Sequence, residues 1–169
     1  MMSHSVTISR TTTTTTSTAI ILNTGYLKTG AGLLKLAEMI LGCVCVGLVA
    51  AYVNNNSYRV NPIYFTQVLF FLLIATAFLI TTTCLLLSSL LSFLTASMIH
   101  KTLFEVIYHV VAFALYLAAG IVLLVEIKDH DRSQYYNAYL AAAIIGLVNA
   151  ALYLLSTILA IRTYKGAGL

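Results

Sequence analysis

The sequence predicts an all-α membrane protein, a four-transmembrane-helix bundle with both termini in the cytoplasm. Three observations carry this. No Asp, Glu, Lys or Arg occurs in residues 39–58, 60–99, 106–125 or 133–161. The composition is 60% hydrophobic and 8% charged, against about 25% charged in soluble domains. The lysines and arginines are distributed unevenly among the connections. An apolar helix needs about 20 residues to cross the ~30 Å hydrocarbon layer with every backbone amide satisfied internally, and each uncharged stretch is that long.

Residues 1–32 read as a Ser/Thr-rich cytoplasmic tail, dominated by Thr11–Thr16 and without the apolar core of a cleaved signal peptide. The tract near Arg10 is either a phosphorylation target or a polar spacer. The apolar turn Ala19–Leu22 suits the membrane surface, and Tyr26 with Lys28 suits headgroup depth. Residues 33–164 form the membrane domain, with spans at 33–53, 63–93, 103–127 and 136–161, and 165–169 are a short cytoplasmic tail. Pro62, the only proline, precedes the second span, where its missing N–H costs nothing. That span exceeds what a bilayer needs. Its Ser-rich end, residues 88–98, is expected to tilt or to extend into the headgroups before a turn at His100 and Lys101. Two crossings there would need about 40 apolar residues and a turn, and no Gly, Pro or Asn interrupts residues 63–93.

Orientation follows from charge. With the N-terminus inside, Arg10, Lys28, Lys35, Lys101, Arg162 and Lys165 are cytoplasmic, while Arg59, Lys128 and Arg132 are outside. The net charge of +4 is therefore topological and does not indicate nucleic-acid binding. Tyr52, Tyr58, Tyr64, Tyr135, Tyr136 and Tyr139 fall at outer helix ends, where amphipathic rings form a belt, and Tyr164 falls at an inner end.

Polar residues inside the spans have two readings. Glu38 lies beside Lys35, and Glu105 lies between Lys101 and His109 at four-residue spacings, all near the cytoplasmic end. As functional groups, Glu38, Glu105 and His109 form a proton or cation relay. As structural groups they are interfacial, snorkelling or paired between helices, which their shallow depth favours, and Gln at either carboxylate is expected to preserve folding. Asn149 is expected to donate to a neighbouring helix. Ala138, Ala142, Gly146 and Ala150 recur every four residues on the fourth span, so a second backbone can approach closely. That seam packs inside the bundle or against a second protomer; Ala143 is expected on the opposite, lipid-facing side, and Ala114 with Ala118 form a shorter seam on the third span. Cys43, Cys45 and Cys84 lie in apolar helices and read as free thiols, with palmitoylation possible only at the interface. The sequon at Asn55 falls in the short first outer loop. No catalytic, cofactor or metal constellation is present in the sequence.

The segments Leu33-Leu-Lys-Leu-Ala-Glu-Met-Ile-Leu-Gly42, Phe104-Glu-Val-Ile-Tyr-His109 and Phe113-Ala-Leu-Tyr-Leu-Ala-Ala-Gly120 resemble the MARVEL domain, particularly its MAL, plasmolipin and chemokine-like-factor group. The resemblance covers about residues 33–164. It implies a non-enzymatic multi-pass protein of the plasma membrane or of vesicle and endosomal membranes, active in vesicle trafficking, membrane apposition or lipid-raft domains. Its implied partners are membrane lipids, cholesterol or sphingolipid among them, other membrane proteins and a second copy of the chain; no nucleic acid and no cofactor is implied. The first outer loop lacks the Trp and Cys of a claudin, the second is too short for a tetraspanin, and no mid-membrane carboxylate serves a rotary proteolipid. The alternative is a small transporter or channel using Glu38 and Glu105.

The charge asymmetry predicts that epitope tags at both termini become reachable only after the plasma membrane is permeabilised; a tag accessible on intact cells overturns the orientation.

Overall fold

The computed structural model describes residues 23–53, 62–99, 101–129 and 136–167. A 3₁₀ turn, Thr24–Lys28, leads into α1 (Gly30–Val53), followed by α2 (Pro62–Leu91), a short α3 (Phe93–Ile99), α4 (Leu103–Asp129) and α5 (Tyr136–Ala167). At 1.5 Å per residue, each of the four long helices exceeds the ~30 Å hydrocarbon layer, and all four are apolar enough to cross a membrane. The Thr tract, the Ala19–Leu22 turn, the Asn55 sequon, Tyr58, Tyr135 and the side chain of Tyr64 lie outside the described residues.

The helices are apolar around their whole circumference because one side faces protein and the other faces lipid. Packing is a four-sided ring in which α1 meets α2 and α5, and α4 meets α2 and α5, with the α4–α5 seam the most extensive. Leu73, Ile80, Ile107, Val125, Ile144 and Val148 point outward, each about half exposed or more. Such residues face lipid tails, so burying them would gain little and cannot decide how the helices pack. Interior contacts decide it.

The start of α1 is fixed by Thr29. Its hydroxyl donates to the Tyr26 carbonyl at 2.7 Å and accepts from the Gly32 amide at 3.1 Å, a side-chain cap on an otherwise unsatisfied helix donor. Gly32 is required here, since a Cβ would lie 2.1 Å from the Tyr26 carbonyl oxygen. The turn brings Tyr26 inward to 5% exposure beside Leu86 and Ala96. The Tyr26 ring is thus enclosed by protein, and burial pushes its phenol above its ordinary pKa, with Lys35 opposing. Tyr139 likewise faces the core, where it is fully buried.

The second helix ends at Leu91 rather than running on. Ser92 accepts the Thr95 amide on its side chain at 3.1 Å and restarts the chain as α3. The last helix, in contrast, continues past residue 161 to Ala167, carrying Arg162, Tyr164 and Lys165 on exposed positions.

Small residues set the closest approaches. Ala142 and Ala150 are buried, Ala138 is half-buried, and a Cβ on Gly146 would come within 2.6 Å of the Phe71 ring on α2. This seam lies inside the bundle. Ala143 is also fully buried, because α5 is embraced by both α1 and α4 and presents a wide inner face. The expected seam at Ala114 and Ala118 faces outward instead, and the close contact on α4 is at Gly120, where a Cβ would sit 2.8 Å from Leu147. Cys43 and Cys84 are exposed on outward faces, Cys45 is buried, and all three thiols are free.

Gly146→Leu should lower stability by about 1–3 kcal/mol through overpacking against Phe71, measured by thermal melting in detergent, whereas Val148→Leu, whose site is 50% exposed, should leave the midpoint nearly unchanged.

Candidate functional site: a polar cluster at one end of the bundle

The proximal end of the bundle is where α1 and α4 start and α2 and α5 finish. Here the interior changes from apolar to polar. Lys35, Glu38, Glu105, His109, Asn149 and Ser156 are each at most 6% exposed. Lys35 sits in the second turn of α1 and Glu105 in the first turn of α4, so both reach the same level of the interior.

The Lys35 ammonium donates to Glu105 Oε1 in an ion pair across the bundle. Lys101, the neighbour that four-residue spacing offers to Glu105, is exposed. The pair is thus interhelical, and neither member snorkels to the surface. His109 shares a 2.7 Å hydrogen bond between its Nδ1 and the Glu105 backbone carbonyl; because a carbonyl only accepts, Nδ1 carries the proton. Glu38 belongs to a second layer. Its Oε1 accepts the Ser156 hydroxyl at 2.5 Å, and its backbone carbonyl accepts Asn149 Nδ2 at 3.4 Å. Its other carboxylate oxygen has no hydrogen-bond partner among the described residues.

An aromatic layer lies alongside. The Thr82 hydroxyl is 2.7 Å from the phenols of both Tyr108 and Tyr153, linking α2, α4 and α5. Phe78 packs on Tyr108 and Tyr116 with ring centroids 5.7 and 5.9 Å apart, and Tyr116 stacks on Tyr153 at 5.5 Å. Tilted and offset rings at these separations add attraction beyond simple burial. Farther along the axis, Val49, Phe71, Tyr116 and Leu123 are all within 1% of complete burial and fill the bundle.

A cavity of about 230 Å³ opens beside the polar cluster. Lys35, Glu105, His109 and Ser156 form its polar side, Ala31, Leu159 and Ala160 its apolar wall, and Tyr26, Thr29 and Thr163 complete it. Among the described residues no group of His, Cys, Asp or Glu is arranged to hold a metal ion.

Of the residues singled out in the sequence, Glu105 and His109 line this cavity, Glu38 and Asn149 lie in the layer behind it, and Ala138, Ala142, Gly146 and Ala150 lie elsewhere on α5 as packing positions. Ser156, Tyr153 and Thr82 escaped sequence reasoning. Ser156 lies seven residues, two turns, beyond Asn149, so extending the inner face of the last helix toward its end would have found it. Lys35 was visible, but its partner was not, since spacing along one helix says nothing about contacts across the bundle.

Comparison with known proteins gives one match. The family model MARVEL, described as a membrane-associating domain, matches residues 26–159. No curated protein and no solved structure matches.

The ion pair predicts a specific stability pattern. Lys35→Met should cost about 3–5 kcal/mol by leaving a buried carboxylate uncompensated, and the double variant Lys35→Met with Glu105→Met should recover most of it. By the same argument Glu105→Gln strips Lys35 of its counter-charge and is not the neutral change expected from the sequence. Denaturation in detergent checks this, and additive losses in the double variant would contradict the pairing.

Proposed function

We propose that this chain, which belongs to the MARVEL family, is a non-enzymatic membrane protein that organises lipid or partner proteins in vesicle trafficking, membrane apposition or specialised membrane domains. Family membership rests on a match over residues 26–159 and accords with four apolar helices long enough to span a bilayer. Proteins of this family are generally non-enzymatic. The finer assignments, to plasma membrane, vesicle or endosomal membranes, to cholesterol- or sphingolipid-rich domains, to the MAL, plasmolipin and chemokine-like-factor group, and to cytoplasmic termini, belong to this proposal and follow the resemblance and the charge asymmetry.

The observation that carries the reading is the partition between surface and interior. The exposed large side chains of the spans are aliphatic and aromatic, matched to lipid, whereas the polar groups are gathered at one end. The competing reading, a transporter or channel using Glu38 and Glu105, needs a route along the axis. Val49, Phe71, Tyr116 and Leu123 occupy that axis above the carboxylates, and Lys35 already neutralises Glu105. This arrangement supports a structural bundle over a conduit.

Proteoliposome flux measured alongside lipid and partner co-purification separates the two. Wild-type and Glu38→Gln proteins should both leave proton flux at the level of empty liposomes while co-purifying with lipid or membrane proteins. Substrate-dependent proton flux in the wild type that Glu38→Gln abolishes would overturn the proposal in favour of transport.

A further inference from the structure

We infer that the proximal end of the bundle is a docking surface for anionic phospholipid headgroups, held by four exposed cations and set at headgroup depth by an apolar collar. The inference rests on the reading of the chain as a lipid-associating membrane protein and names a lipid class for it.

The first argument is where charge is left over. Lys28 on the 3₁₀ turn, Lys101 on the turn before α4, and Arg162 and Lys165 on α5 are all exposed, and none of them takes part in an ion pair among the described residues. The carboxylate side chains described at this end are those of Glu38 and Glu105; both are buried, and Glu105 is already engaged by Lys35. Glu126, Asp129 and Asp131 belong to the distal end of α4 and the connection after it. The described proximal surface therefore exposes four positive side chains and no negative one. Such a face raises the local concentration of anions.

Layout gives the second argument. Lys28 precedes α1, Lys101 precedes α4, and Arg162 with Lys165 lie near the end of α5, so cations stand at three of the four corners of the ring. A headgroup layer surrounds the bundle and meets all three corners at once, which one small soluble anion cannot do. The apolar side chains between the cations set the depth. α3 turns Ala96 inward beside Tyr26 and Leu86 and leaves Phe93, Leu94 and Met98 outside, Phe93 at 75% exposure. Leu103 and Phe104 follow within three residues of Lys101, each more than half exposed, and Tyr164 lies exposed between Arg162 and Lys165. Turned to water, this collar would be an uncovered apolar patch. Placed at the boundary between acyl chains and headgroups it is covered, and the interleaved cations then lie at the level of the phospholipid phosphates.

Net charge then chooses among phospholipids. Phosphatidylcholine and phosphatidylethanolamine carry a cationic nitrogen beside the phosphate, and the described proximal surface has no exposed carboxylate side chain to receive it. A headgroup of net negative charge meets attraction alone. Each Lys or Arg close to an anionic leaflet favours it by about fivefold. The distal end offers a built-in contrast, since its exposed Lys128 stands next to Asp129 and two residues from Glu126 in the sequence.

The full-length protein is reconstituted in phosphatidylcholine bilayers holding a trace of spin-labelled phosphatidylglycerol, phosphatidylserine or phosphatidylcholine, and the motionally restricted fraction of each label is read by electron paramagnetic resonance. Both leaflets have the same composition, so the direction of insertion is immaterial. At low salt phosphatidylglycerol and phosphatidylserine should each associate about fivefold more strongly than phosphatidylcholine, the effect of one cation per lipid. In about 1 M NaCl, where the screening length is about 3 Å, the ratio should fall close to one. Lys28→Gln, Lys101→Gln, Arg162→Gln and Lys165→Gln combined alter exposed, unpaired side chains, so the melting midpoint should hold while the preference is lost. The pair Arg162→Gln with Lys165→Gln tests the same point on the end of α5 alone and should at least halve the preference. Lys128→Gln at the distal end should keep most of it. Equal association of the three lipids at low salt, a preference that survives high salt, or one unchanged in the folded proximal variants overturns the assignment. So does capture of soluble polyglutamate by protein in pure phosphatidylcholine without any lipid preference, which would make this face a site for an acidic protein. None of these results touches the flux measurement on which the broader function depends.

Discussion

The interhelical contact between Lys35 and Glu105 is the constraint around which the proximal half of the bundle is organised. It joins α1 and α4, which occupy opposite corners of the ring and otherwise share few contacts. In a membrane the aliphatic faces of the helices are as well served by lipid as by each other, so apolar burial cannot choose among rotations of a helix about its axis. Two opposite charges can. Once both are enclosed, rotating either helix strands a charge in a low-dielectric medium, and that penalty fixes the inward faces of α1 and α4 together. Glu38 and His109 then fall into place because they share those faces, and Glu38 meets Ser156 on α5.

The distal half is governed by a different rule. There the interior holds Phe71, Leu123 and Tyr139 against small residues on α5, and Gly146 meets Phe71 at a distance that admits no Cβ. Shape takes over from charge, with dispersion between closely approaching backbones replacing the missing hydrophobic drive. Between the halves, Thr82 bridges Tyr108 and Tyr153, giving the polar layer a satisfied boundary before the apolar packing begins.

Much of this architecture was legible in the chain. Uncharged stretches mark four spans because a charge in the hydrocarbon layer is costly, and this signal is local and strong. The small-residue positions on the last helix were legible for the same reason, being periodic within one element. What sequence could not supply was azimuth. Ala143 and Ala142 are adjacent, and only contact with two neighbouring helices explains why both are buried. Ala114 and Ala118 show the converse, a correct spacing on an outward face. The break at Ser92 was hidden because serine is compatible with a helix in lipid and with its cap, and the choice is made by the Thr95 amide.

The same limit separates residues from site. Glu38, Glu105 and His109 stand out as ionisable groups in apolar helices, yet their chemical meaning depends on which oxygen each neighbouring proton reaches. Ser156 gives its proton to Glu38 and Thr163 to the Leu159 carbonyl, so neither hydroxyl proton is left for the cavity, whose lining also holds the Lys35 ammonium paired with Glu105. Thr163 does so only because α5 continues beyond residue 161, past the length that a bilayer requires. The extra turns of that helix therefore have a physical consequence: they carry Thr163 to the cavity wall, with the exposed Arg162 and Lys165 beside it.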